Sequence, residues 1–158
     1  MKILTYIVII LVVLVAITAF LSWNRNPIST AGWQTAAQNG MSFEYPPNLG
    51  TTYVHLVNWP PTLQVANTAF SCSSGQEMIY GHTYCVTKSS EGAAGSTYTT
   101  YNFAFPFNNQ TASLNFVAQF PQCPNYGDTT NPNRIACSQE ESSFSVDPVI
   151  DRIARSIK

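Results

Sequence analysis

Apolar residues follow two different patterns in this chain, one at its beginning and another over the rest. Residues 3–21 are apolar apart from Thr5 and Thr18, and the next charged residue is Arg25. A helix rises 1.5 Å per residue, so this segment has the length that spans the roughly 30 Å hydrocarbon core of a bilayer. The pattern predicts a transmembrane helix, which makes the lipid bilayer a predicted partner of residues 3–21.

The apolar segment differs from a cleaved export signal in two ways. The apolar part of such a signal is about 7–15 residues long and is followed by small residues at the cleavage site. Here the stretch is longer, and Ile17 stands where a small residue is needed. We therefore expect an uncleaved signal-anchor over residues 1–25, then a linker at 26–32 and one globular domain at 33–158. A cleaved signal is the alternative.

Beyond the linker, apolar and polar residues mostly alternate, which is typical of strands with one buried and one exposed face. The clearest case is a pair of runs on either side of residues 108–110. Phe103 and Phe105 in the first run, and Leu114 and Phe116 in the second, are predicted to face the core. With the shorter runs we expect an antiparallel sheet of roughly five to seven strands. The shorter runs are residues 41–45, 51–58, 62–66 and 82–88.

The chain ends with a helical pattern. Asp147 is a suitable N-cap and Pro148 suits the first helical position. Ile150, Ile153 and Ile157 then recur at spacings of three and four, which gives a helix one apolar side. The predicted fold class is therefore α+β, with an N-terminal transmembrane helix followed by an antiparallel sheet on which the C-terminal helix packs.

Four cysteines lie in the globular part and none lies in the apolar segment. An even number of cysteines behind an export-type segment indicates an oxidising compartment. Of the three possible pairings we expect Cys72–Cys85 with Cys123–Cys137, because each closes a short loop rich in turn-forming residues. The spacings lack the C-x-x-C pairs of a zinc site, so no metal is predicted. The expected location is a single-pass membrane protein with its domain in the periplasm or on the cell surface.

The segment from Trp33 through residues 39–46, with the letters NGMSFEYP, resembles the opening strand of PsbP-like (Mog1/PsbP) domains. The closing helix at residues 147–158 is similar to the helix that ends such domains. The middle of the chain resembles small membrane-anchored bacterial proteins of unassigned function. The resemblance implies an α+β fold and no activity, and the four cysteines depart from the PsbP pattern.

Charge and composition narrow the classes of partner. Only 9% of the residues are charged and the net charge is −1. A nucleic-acid binder needs a basic surface to displace counterions, so no nucleic-acid partner is expected. The aromatic content of 13% argues against a disordered chain, since it supplies a core.

The sequence offers few groups for catalysis. His55 and His82 are the only histidines, and no G-x-S-x-G motif is present. Pairing in disulfides would remove the cysteines as nucleophiles. We expect no enzyme and no cofactor. The enzymatic alternative is a cell-envelope hydrolase that uses His82 with Glu77 or Glu91.

The predicted outward face of the long hairpin combines a ring with amide side chains. Neutral sugars are bound by such surfaces, through apolar stacking and directional hydrogen bonds. We therefore predict a non-enzymatic binding or envelope-accessory domain whose partner is an envelope protein or a glycan. A pilin-like surface subunit is a further alternative, although the basic leader of pilins is missing. The predicted ligand-binding residues are Tyr98, Asn102, Asn115 and Gln119.

Overall fold

The computed structural model describes residues 32–158. The predicted transmembrane helix over residues 3–21 lies outside this range, as does nearly all of the predicted linker. Within the described range, the helices are too short or too polar to cross a bilayer.

In the described part of the chain, eight strands precede two α-helices. The strands are β1 (Gln34–Gln38), β2 (Met41–Tyr45), β3 (His55–Leu56), β4 (Thr62–Ala66), β5 (Gln76–Ile79), β6 (His82–Ala93), β7 (Ser96–Phe107) and β8 (Gln110–Pro121). A short 3-10 helix follows at Cys123–Tyr126, and then come α1 (Pro132–Ser143) and α2 (Asp147–Ser156).

The predicted α+β fold class with an N-terminal transmembrane helix is wrong for the part of the chain that the structure describes. Strands hold 45% of the described residues and helices 20%, and the two α-helices are short and lie at the C-terminus. The physical reason is the length of β6, β7 and β8, each of 12 residues. These three strands pair with one another along most of their length, so this part of the chain is mostly β.

The main sheet is antiparallel and has six strands. The order is β3-β8-β7-β6-β5, and β4 also pairs with β8, while β1 and β2 form a separate hairpin. The predicted strand over residues 51–58 shortens to β3. Its earlier backbone N–H groups, from Thr52 to Val54, donate to the Glu140 carboxylate instead of to a neighbouring strand.

The inward face of the β7–β8 hairpin forms the centre of the core, as predicted. Phe103 lies directly opposite Leu114 in the register, and both side chains are fully buried. Phe105 and Phe116 are also buried. Each side chain of this size contributes about 1.5–3 kcal/mol through burial.

Helix α2 belongs to the same core through its apolar side, Ile150, Ile153 and Ile157. The N-cap is Val146, so the helix begins at Asp147, whose N–H donates to the Ser145 hydroxyl. The predicted N-cap was therefore misplaced by one residue.

Both predicted disulfides are present. Cys72–Cys85 joins the loop before β5 to β6, and Cys123–Cys137 joins the 3-10 helix to α1, with Cα–Cα distances of 5.5 and 5.6 Å. No free cysteine remains among the described residues. The two disulfides indicate an oxidising environment outside the cytoplasm.

Candidate functional site

The four predicted ligand-binding residues lie on one face of the sheet, turned away from the core. Tyr98 on β7 is directly opposite Gln119 on β8, and Asn102 is directly opposite Asn115. All four side chains are half-buried. Alternation along two paired strands places them together, because residues of the same parity share a face.

A shallow depression of about 520 Å³ opens on this face around Asn102. Five of its eight lining residues have amide or hydroxyl side chains, and none of the described lining residues carries a charge. The residues are Asn39, Gln64, Val65, Ala66, Asn102, Ala104, Thr111 and Ser113. The depression is therefore suited to a neutral, polar ligand.

Asn102, which lines this depression, has an unsatisfied polar atom. Its Oδ1 is buried and accepts no hydrogen bond within the described part of the chain. A buried acceptor without a partner costs about 1–3 kcal/mol, and most such atoms in native proteins are paired with protein or water. A ligand that donates an O–H or N–H group would relieve that cost once the Asn102 side chain turned its oxygen toward the depression.

Tyr98 and Gln119 lie outside the depression. Asn102 is four positions after Tyr98 along β7, or about 13 Å away at roughly 3.3 Å per residue. The Gln119 side-chain amide donates to the Ser96 hydroxyl at 3.0 Å, which turns it away from the centre of the face. The structure thus places Asn102 in the depression and Asn115 beside it, and leaves the other two at the far end of the face.

The sequence prediction missed Gln64 and Ser113. The two residues are directly opposite each other because β4 pairs with β8. Asn39 fixes this edge, since its amide group donates to the backbone carbonyl of Leu63 on β4 at 2.9 Å. The alternation of polar Gln64 with apolar Leu63 and Val65 indicates that Gln64 faces outward. The sequence does not show, however, which strand pairs with β4.

His82 contacts a carboxylate that the sequence did not suggest. Its Nδ1 lies 2.8 Å from Asp151 Oδ1 on α2. Glu77 instead lies 3.9 Å from the Lys88 ammonium. Glu91 is nine residues from His82 along β6, roughly 30 Å away, so these two groups do not converge.

Asp151 is completely buried; its Oδ1 has hydrogen-bond partners, whereas its Oδ2 accepts no hydrogen bond within the described residues and is held by an ion pair alone. The Tyr84 hydroxyl donates to Oδ1 at 2.9 Å, and the Arg155 Nε lies 2.9 Å from Oδ2. Burial, and then the contact with Asp151, raises the pKa of Tyr84 far above its usual value of 10.0. The contacts of His82 and Tyr84 with Asp151 attach α2 to β6.

The His82–Asp151 contact has one feature of a catalytic dyad, in which a carboxylate orients a histidine ring. About half of the His82 side chain is exposed. Among the described residues, however, no serine, threonine or cysteine side chain forms a hydrogen bond with this ring. The arrangement supplies a base but no protein nucleophile.

A group of potential metal ligands occurs at Cys123, Cys137 and Glu141. The two sulfur atoms are joined in a disulfide. A thiolate is the form of cysteine that binds zinc, so these residues do not form a metal centre in the oxidised protein.

Comparison with known proteins gives no match, whether to a family model, to a curated protein or to a solved structure. The resemblance to PsbP-like domains stays a prediction.

Proposed function

We propose that the chain is a binding domain that works outside the cytoplasm, held at the membrane by residues 3–21. In this proposal the face around Asn102 and Asn115 binds a neutral, hydroxyl-rich ligand, such as a glycan of the cell envelope, and Tyr98 and Gln119 extend that face. The observation that carries the proposal is the unpartnered Oδ1 of Asn102, a residue that lines an uncharged depression rich in amide and hydroxyl groups.

The chemistry of the depression favours hydroxyl donors. The Asn102 carbonyl oxygen needs a donor, and the side chains of Gln64 and Ser113 supply further donors and acceptors. A sugar ring carries several hydroxyl groups that both donate and accept. A charged ligand would find no opposite charge in the described lining to offset its loss of hydration.

The proposed location has two independent supports. The disulfides indicate an oxidising environment, and the apolar segment at residues 3–21 has the composition and length of a membrane anchor. Together they favour a domain tethered in the periplasm or at the cell surface.

The test measures binding to the full-length protein in detergent micelles by calorimetry. The probes are chitotetraose and cellotetraose, which are neutral oligosaccharides. We expect Asn102→Ala to weaken binding of the better probe at least tenfold, because the variant loses the acceptor. Asn133→Ala is the matched control, since Asn133 is an exposed asparagine on α1, away from the proposed binding face. Equal affinity of the two variants, or no binding of either probe, would contradict the proposal.

The His82–Asp151 contact favours a second candidate function, in which His82 activates a water molecule for hydrolysis. Asp151 would be the carboxylate that acts with His82, in place of the predicted Glu77 or Glu91. Hydrolysis of p-nitrophenyl butyrate that is lost in His82→Ala and kept in His55→Ala would support this function. Equal rates in both variants would exclude it for this ester.

A further inference from the structure

A second cavity, of about 250 Å³, lies between the segment that follows β2 and the junction of α1 with α2. It shares no residue with the depression around Asn102. Most of its wall is apolar and is formed by Pro46, Leu49, Phe144, Pro148 and Val149. A partly enclosed apolar cavity with a few polar groups is typical of a small-ligand site.

One wall of this cavity holds a carboxylate. Glu140 is the only charged residue among the described residues that line it. Its Oε1 accepts from the backbone N–H groups of Tyr53 and Val54, both at 2.7 Å, and its Oε2 accepts from Thr52 at 2.8 Å. A carboxylate oxygen accepts two hydrogen bonds, so Oε2 keeps the capacity for one more donor.

Glu140 carries its charge at neutral pH. Burial raises the pKa of this carboxyl group, but the backbone hydrogen bonds and the nearby His55 outweigh that effect and hold the pKa below its usual range. The cavity therefore combines an apolar wall with a fixed negative charge that has no cationic side chain beside it in the described lining.

The first turn of α2 also borders the cavity, but its backbone donors are already used. The Asp147 N–H donates to the Ser145 hydroxyl, Pro148 has no N–H group, and the Val149 N–H donates to the Val146 carbonyl. Donors that would hold an anion are therefore absent from this part of the described wall. The charge of the cavity is complementary to a cation.

We propose that this cavity binds a primary alkylammonium group, the chemistry of a lysine side chain. The ammonium donates to Glu140 Oε2, and the aliphatic stem packs on Leu49 and Phe144. A quaternary ammonium is less suited, because it has no N–H to donate and Phe144 is the only aromatic ring among the described lining residues.

The experiment titrates n-butylammonium chloride into the full-length protein in detergent micelles and follows the backbone amide resonances of Thr52, Tyr53 and Val54. The neutral isostere n-butanol is titrated in parallel. We expect saturable shifts with butylammonium and at least tenfold weaker binding of butanol, because only the cation pairs with Glu140. Equal affinity of the two probes, or no saturable shift with either, would overturn the proposal.

Two serines of α1 provide matched variants. Ser142 and Ser143 are both exposed and both donate to the Gln139 carbonyl, but only Ser143 lines the cavity. Ser143→Trp should abolish butylammonium binding by filling the mouth of the cavity, and Ser142→Trp should leave it unchanged. Equal binding by the two variants would also overturn the proposal. Ser143 also donates to the Glu140 backbone carbonyl, but neither serine forms a hydrogen bond with the Glu140 carboxylate within the described residues, so this comparison does not depend on altering the carboxylate itself.

Discussion

Two polar side chains in this domain show opposite outcomes of burial. Asp151 is completely buried, but histidine, tyrosine and arginine partners surround its carboxylate. Asn102 is only half-buried, yet its Oδ1 is enclosed without a partner. Asp151 Oδ2 also accepts no hydrogen bond, but its charge is paired with Arg155, whereas Asn102 Oδ1 has neither a hydrogen bond nor an ion pair within the described residues. Asp151 therefore has the properties of a structural residue and Asn102 those of a binding residue.

The structural role of Asp151 gives a prediction at this scale. We expect Asp151→Asn to lower the free energy of unfolding by about 2 kcal/mol, because its charge-assisted hydrogen bonds are weakened. The new amide group would also bring N–H donors against the Arg155 guanidinium. Urea unfolding followed by circular dichroism measures the change.

Asp147→Asn is the control for this substitution. Asp147 lies one turn earlier on the same helix and is only half-buried, so its loss should cost about 0.5 kcal/mol through the helix dipole. Equal destabilisation by the two variants would show that the contacts of Asp151 do not hold α2 against β6.

At the level of elements, the two helices are held by different means. Helix α2 is amphipathic and buries Ile150 and Ile153 in the core. Helix α1 buries only Cys137, and it is attached by the disulfide to Cys123 and by the contacts of Glu140 with residues 52–54. The attachment of α1 therefore depends on a covalent bond and one carboxylate.

Removing the Cys123–Cys137 disulfide should release α1 before the rest of the domain. We expect the double substitution Cys123→Ala with Cys137→Ala to lower the free energy of unfolding by about 3 kcal/mol. Hydrogen exchange of the α1 amides should accelerate while that of β7 and β8 changes little. The control is the double substitution Cys72→Ala with Cys85→Ala. It removes the other disulfide, which closes a loop of similar length away from α1. Unchanged exchange of the α1 amides in the first variant would contradict this account.

The regularity of the apolar pattern in each element explains which elements the sequence could predict. The β7–β8 hairpin and α2 have regular apolar periods, so Phe103, Leu114 and Ile153 were placed in the core correctly. Helix α1 has no apolar side and gave no signal. The strand predicted over residues 51–58 failed because Glu140, far along the chain, binds its backbone.

At the scale of the whole molecule, the shape of the candidate site depends on contacts that cross long stretches of sequence. Alternation placed Asn102 and Asn115 on one face, but the depression arises where β4 joins β8 and where Asn39 holds β4. The partner of His82 is likewise 69 residues away, at Asp151. A single sequence shows which face a side chain occupies, but not where that face is concave.

The central claim is that the depression around Asn102 binds a neutral glycan, and side-chain amide resonances test it most directly. Chitotetraose is titrated into full-length, isotope-labelled protein in detergent micelles. We predict saturable shifts of the Asn102 and Gln64 side-chain amides and none for Asn131, which caps α1 outside the depression. Shifts of equal size at Asn131, or no saturable shift at Asn102, would contradict the claim.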